Sequence, residues 1–383
     1  MKIVAVETFI LRHPLAEPFG YSQMWYDTRA AMLVRVTTDT GAVGWGEAFG
    51  PPEPSAAIID ALFAPMLLGA DPTDTAPLWE RMYVRTRDYG QKGFAIHAIS
   101  AVDIALWDLK GKMLGVSVSR LLGGRFRDRV QAYATGLYFR PKEDFTADLV
   151  AEARSHVAAG FRAIKMKVGY TPEADIRHTR AVREAIGPEV QLMVDANHAY
   201  DAATAIRLGR EFERLDVRWF EEPVIPEDVE SCAEVSRALD LPVGGGEAEY
   251  TRYGFQRLFA VRGVDIVQPD LTAAGGFTEC MRIAALASAY GVRYLPHVWG
   301  SAVGFAAALQ FVAALPPATA SLFPLEPLFE YDRTTNYFRE ELTTTPYRID
   351  DGWVTIPDLP GLGIDLDERM LARYQVRPPV RTA

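Results

Sequence analysis

A chain of 383 residues, 49% hydrophobic and 23% charged, is long enough for two cores and has the balance of a folded globular protein. Its formal charge of −10 disfavours nucleic acid and anionic membrane surfaces as partners, which select basic patches. No apolar run approaches the roughly 20 residues that span a bilayer, so no membrane association is expected.

The opening MKIVAVETFILRH alternates as a strand and lacks the regions of a signal peptide. Strands are predicted at 2–12, Met32–Thr37 and Ala42–Ala48, with a turn at Asp39–Gly41, which makes a small antiparallel meander. Tyr21, Trp25 and Tyr26 fall in the loop expected between the first two strands. They are either domain-interface aromatics or a lid over a site. Helical spacing follows, clearest over Gly93–Met113, where Ile96, Ile99, Val102, Ile104, Ala105 and Leu109 recur. Residues 1–125 thus read as an α+β capping domain, closed by Gly123–Gly124.

From Val130 short apolar runs alternate with amphipathic helices. Strands are predicted at Val130–Thr135, Arg162–Val168, Val190–Asp195, Val217–Glu221, Pro242–Glu247, Val264–Gln268, Val292–Pro296 and Ala320–Tyr331. Helices are predicted at Pro172–Ile186, Ala202–Leu215, Pro226–Leu239 and Gly275–Tyr290. Such alternation builds a parallel sheet, and about eight units close a TIM-type (β/α) barrel, here over residues 126–335. The turn-rich segment 336–383 is expected to return to the capping domain. Cys232 and Cys280 lie far apart in helical patterns and read as buried reduced thiols of a cytoplasmic protein.

The chemistry stands at the strand ends. Asp195 closes VQLMVD, Glu221 closes VRWFE and Glu247 closes PVGGGE, each 26 residues from the next. One βα unit is about that long, so the three acids sit level at the C-terminal mouth, where barrel active sites form. A lone acid at a βα turn commonly caps the next helix. Three converging carboxylates instead need a cation, and an all-oxygen donor set favours Mg²⁺. In Lys165-Met166-Lys167 the two lysines share one strand face, and both point into the barrel if Ile164, Met166 and Val168 face the helices. A buried ammonium is expected to titrate low and to serve as a base; the alternative is a solvated edge strand. Asp270 and His297 end adjacent strands and suit a carboxylate–imidazole pair, or else a helix cap and an unrelated core histidine. Glu330 is a candidate acid on the eighth strand, with Glu326 as its rival. The sequence carries no HxH pair and no glycine-rich phosphate fingerprint, which argues against a zinc hydrolase and nucleotide cofactors.

This constellation resembles the enolase superfamily, specifically its mandelate-racemase-like subgroup, nearly end to end from the meander through ALWDLKGK (Ala105–Lys112) to PGLG (Pro360–Gly363). The resemblance implies an enolase-like modified barrel with an N-terminal cap. It also implies Mg²⁺ on Asp195, Glu221 and Glu247, Lys167 as a base with Lys165 beside it, and a His297–Asp270 acid/base pair opposite. Glu330 would stand beside the carboxylate of a small sugar-acid or lactone substrate, and a homo-oligomer is expected from the resemblance alone. Muconate-cycloisomerase-like relatives carry a second base lysine at the sixth strand end, where this chain has Asp270 and no lysine in LTAAGG. The stretches VDANHAY, FEEPVIPE and PLEPLFEYDRTTN are similar to the lactone-opening members, which remove an α-proton and eliminate a β-oxygen. Dehydration, or racemisation of a 2-hydroxy acid, would use the same groups. The substrate-facing stretches GYSQMW and GEAEYTRYG depart from that pattern.

Overall fold

The computed structural model of the protein describes residues 1–143, 145–318, 321–344 and 346–383. The amino-terminal meander is β1 (Ile3–Tyr21), β2 (Met24–Thr38) and β3 (Val43–Ala48), antiparallel throughout. The loop predicted between the first two strands is instead the end of one long hairpin. Pairing slips between Pro14 and Phe19, then resumes as Phe19–Tyr26, Gly20–Trp25 and Tyr21–Met24. Pro14 and Pro18 donate no ladder hydrogen bond and break the alternation, which hides the strand from a pattern search. The helix Phe94–Leu114 crosses this sheet, and its buried Ile96, Ile99, Val102 and Leu106 join Val6, Met32, Val34 and Trp79 in the cap core.

Among the described residues eight parallel strands form the barrel: β4 (Arg129–Gly136), β5 (Ala163–Lys167), β6 (Gln191–Asp195), β7 (Val217–Glu221), β8 (Val243–Gly245), β9 (Ile266–Val267), β10 (Arg293–Tyr294) and β11 (Leu328–Asp332). They pair in sequence from β4 to β10, and β11 returns to pair with β4. The predicted eighth strand is too long: β11 begins only at Leu328, and Ala320, given as its start, lies outside the described residues. Strands β8, β9 and β10 are shorter than predicted, and a left-handed Gly246 (φ +116°) turns the chain out of β8 before Glu247.

Among the described residues seven helices connect the strands, including Pro172–Ile186, Ala202–Arg214, Val229–Ala238 and Gly276–Tyr290. Outward side chains such as Ile164, Met166, Val168, Val194 and Phe220 pack on these helices. Inward, Tyr133, Ala163, Met193, Trp219, Ile266, Leu295 and Leu328 fill the lower bore, so the barrel is a packed core open to chemistry only at its mouth. The hairpin β12 (Ile349–Asp350) and β13 (Trp353–Thr355) adds antiparallel to β4, and β14 (Val380–Thr382) pairs with β1 of the cap. Among the described residues no helix is long and apolar enough to cross a membrane.

Candidate active site

Asp195, Glu221 and Glu247 converge at the barrel mouth, each offering a carboxylate oxygen within 4.8 Å of the others. Their strands fix them and their neighbours aim them. Asp195 Oδ1 accepts the Asn197 amide at 2.9 Å, while Glu221 Oε2 accepts Gln268 Nε2 at 2.6 Å and Trp219 Nε1 at 3.0 Å. Such outer partners orient a ligand set. Glu247 Oε2 is buried and accepts no hydrogen bond. An orphaned carboxylate oxygen beside two more carboxylates fits a hard divalent cation.

Both lysines of β5 point inward, as the alternation requires. Lys165 is 1% exposed, its Nζ 2.5 Å from Glu221 Oε1 and 2.8 Å from Glu330 Oε1. Lys167 Nζ lies 2.5 Å from Asp195 Oδ2. The expectation that these ammonium groups titrate low is not met. Burial pushes both down, but the carboxylates outweigh it and hold both above the ordinary lysine range, Glu221 and Glu330 foremost for Lys165 and Asp195 for Lys167. In the same way burial works against ionisation of Asp195, yet Lys167 and Lys165 hold it down at about 2. Glu330 is buried and accepts Thr135 Oγ1 at 2.6 Å and the Val298 amide at 2.9 Å. Its rival Glu326 is exposed and pairs with Arg127, on the lower side of the barrel beside Leu328.

His297 Nδ1 lies 2.7 Å from Asp270 Oδ2, so its other nitrogen faces the mouth, 3.4 Å from Glu247 Oε2. Asp270 is itself fixed by the amide and hydroxyl of Thr272. Burial disfavours the imidazolium, but Glu247, Glu330 and Asp270 together raise His297 to about 10. Lys167, Glu247 and His297 share a cavity of about 210 Å³ roofed by the β1–β2 hairpin. Ser22 Oγ and Gln23 Nε2, at the hairpin tip, donate to the carbonyls of Ala196 and Asn197 at 2.8 and 2.9 Å. Gly169 makes this approach possible, since a Cβ there would meet Ser22 Cβ at 2.7 Å. Tyr21 and Tyr26 line the cavity, whereas Trp25 is turned outward and half exposed.

Sequence reasoning missed Tyr138, Trp299 and Phe49 in the lining, whereas Tyr250 falls within GEAEYTRYG, already read as substrate-facing. Trp299 lies two residues past His297 and was reachable by strand-end proximity; Phe49 comes from the cap, and no local pattern points to it. Also missed was the backbone strain at the mouth. Asn197 (φ 43°), His198 (φ 68°) and Glu222 (φ 44°) follow Asp195 and Glu221 in left-handed conformations. Each costs about 1–2 kcal/mol, and strain of this kind collects where geometry is imposed for function.

Residues 5–123 match the family described as Mandelate racemase / muconate lactonizing enzyme, N-terminal domain. Residues 148–370 match the one described as Enolase C-terminal domain-like. The chain is 46% identical over 379 residues to D-galactarolactone cycloisomerase of Agrobacterium fabrum, covering 99% of this chain and 100% of that one. It superposes with a TM-score of 0.90 on the 3,6-anhydro-D-galactonate cycloisomerase of Zobellia galactanivorans, at 42% identity and with 98% and 100% of the two chains covered. A racemase from Streptomyces coelicolor A3(2) with bound magnesium gives 0.87 at 32% identity, with 98% and 100% covered. With matches across both domains and the barrel-mouth acids in place, the protein is an enolase-superfamily enzyme and belongs to the mandelate racemase / muconate lactonizing enzyme family.

Proposed function

We propose that this enzyme is a magnesium-dependent cycloisomerase that opens the ring of a small cyclic sugar acid, a sugar-diacid lactone of the galactarolactone type, to a 3-deoxy-2-keto acid. The observation that carries the reading is the pair of candidate proton-transfer groups, Lys167 on β5 and His297 on the loop after β10, lining one cavity beside the carboxylate triad. Asp195, Glu221 and Glu247 would hold Mg²⁺, which neutralises the acids and polarises the substrate carboxylate when bound. Lys165, held between Glu221 and Glu330, adds positive charge at that same end as negative charge develops. Lys167 or His297, each in its neutral form, takes the proton from the carbon next to the carboxylate, according to the face that carries it. That form becomes accessible when a cation on Asp195 and Glu247 offsets the negative charge that otherwise holds a proton on each base. Asp270 fixes the His297 ring for that task. Elimination of the β-oxygen opens the ring without any further reactant. The names of the relatives at 46% and 42% identity support ring opening.

Dehydration of an open-chain aldonate or aldarate is the second reading, because the same groups would expel a β-hydroxyl. Proton NMR in D₂O with Mg²⁺ separates the two. Conversion of galactaro-lactone to an open-chain keto diacid, with deuterium entering beside the new ketone, is the expected outcome. Water loss from open-chain acids without turnover of any cyclic acid would replace cycloisomerase by dehydratase.

A further inference from the structure

The charge of the cavity away from Lys167 bears on which acids can enter it. Three side chains of the basic residue types line it among the described residues: Lys167, His297 and His198. Lys167 and His297 belong to the proton-transfer groups. His198 is already engaged at both ring nitrogens, Nδ1 3.2 Å from the Val224 carbonyl and Nε2 3.1 Å from Glu222 Oε2. Arg29 lies beyond the wall, in the neighbouring cavity of about 400 Å³. Its Nε donates to the Thr335 carbonyl and its Nη2 to Asp332 and Thr334, and its guanidinium lies over the Trp299 ring at 4.2 Å. Tyr26, Trp299 and Phe49 stand between the two cavities, with ring centroids 5.0 and 6.3 Å apart. What remains for the far end of a substrate is neutral, the hydroxyls of Tyr21, Tyr26 and Tyr250 and the unpartnered indole N–H of Trp299, groups that suit sugar hydroxyls.

From this distribution we propose that the enzyme selects a cyclic monocarboxylate and discriminates against dianions. The inference rests on the ring-opening reading for its substrate and sharpens it. A second carboxylate at the far end would be stripped of water against aromatic walls with no cation among the described residues to receive it. A lactone of a diacid carries one free carboxylate and passes. So does an anhydro-sugar acid, whose ring oxygen is an ether. Opening the lactone changes the charge. The α-proton goes to the base, its bonding pair forms the carbon–carbon double bond, and the β-carbon–oxygen bond breaks with its electrons left on the ring oxygen. That oxygen becomes part of a new carboxylate, and the enol takes a proton at the β-carbon to give the keto acid. A bound monoanion thus turns into a dianion that the cavity does not hold, which favours its release.

A matched pair of open-chain acids tests the charge rule separately from ring opening. Galactonate and galactarate differ only in a hydroxymethyl or a carboxylate at the far end. Isothermal titration of the Mg²⁺-loaded enzyme should show galactarate binding at least about tenfold more weakly than galactonate, a difference of about 1.4 kcal/mol. Gln23→Lys, which adds a cation at the hairpin tip, should narrow that gap, read as the ratio of galactarate to galactonate affinity within the same variant. Equal affinities in the wild type, whether strong or undetectable, or tighter galactarate binding, would overturn the proposal. Failure of every cyclic acid to react would remove the ring-opening reading and leave the charge rule to be judged on the matched pair.

Discussion

Lys167 and His297 enter one cavity from β5 and from the loop after β10, so under the proposed reaction a substrate held between them would meet a different base on each face. Lys167→Ala should therefore abolish α-proton exchange on one face of a racemic 2-hydroxy acid, and His297→Asn on the other, each by at least about 100-fold. Deuterium incorporation into each enantiomer, followed by NMR, measures both. Equal residual exchange on the two faces in both variants would refute the division of labour. At this scale much was readable in the sequence, because one βα unit separates each acid from the next and a strand's period of two carries both lysines inward. What stayed hidden depends on contacts across the fold. Glu330 could not be told from Glu326 until β11 set Glu330 inside the barrel and left Glu326 on an exposed ion pair. The lysines' proton affinity was misjudged because the sequence indicates burial but not the distances to Glu221 and Asp195.

Strand β3 is the element that joins the cap to the catalytic loops. Glu47 accepts the Ser301 amide, the Ser301 hydroxyl and the Gly304 amide at 2.8, 2.6 and 2.7 Å, at the start of the helix Ala302–Ala314. Two residues on, the Phe49 amide donates to the Thr272 carbonyl and its ring meets His297 edge-on at 5.6 Å. Burial raises the Glu47 carboxyl from an ordinary 4.5 to about 7, against the three donated hydrogen bonds and with Asp270 adding repulsion. The folded state then holds this proton more tightly than the unfolded chain. Its stabilising contribution is complete below pH 4.5 and is lost as pH rises through about 7. Glu47→Gln cannot titrate, so the stability gap between wild type and variant should shrink across that window, by on the order of 3 kcal/mol. Urea unfolding of both proteins at several pH values measures it, and a gap that is flat or widens with pH would show that Glu47 is ionised throughout. Nothing local in GWGEAF announces this role, since Glu47 lies 254 residues from Ser301. The strand form of the hairpin roof was equally illegible, its two prolines having masked the pairing, although a lid was one of the two readings of Tyr21 and Tyr26.

Across the whole molecule the cap and barrel are tied together at buried polar joints. Asp103, in the helix Phe94–Leu114, accepts the Thr278 amide at 2.9 Å and its hydroxyl at 2.6 Å. Ser100 Oγ accepts the Gly275 amide, and Trp79 Nε1 donates to the Gly275 carbonyl at 2.8 Å. Asp108 bridges the amides of Trp45 and Leu362, and β14 closes the cap sheet from the far end of the chain. A buried amide that loses its acceptor costs about 1–3 kcal/mol, so opening the joint between the halves exposes several such groups at once. The two halves should therefore unfold as one cooperative unit, although sequence pattern divides them cleanly. Asp103→Ala tests this, because it strips the Thr278 amide of its partner without touching the barrel mouth. One urea transition, coincident by far-ultraviolet circular dichroism and by tryptophan fluorescence, should shift to lower urea by the equivalent of about 1–3 kcal/mol with its slope unchanged. A transition that splits, with one half melting before the other, would mean that each half is stable by itself. The roof would then be free to part from the mouth as a domain rather than as a hairpin.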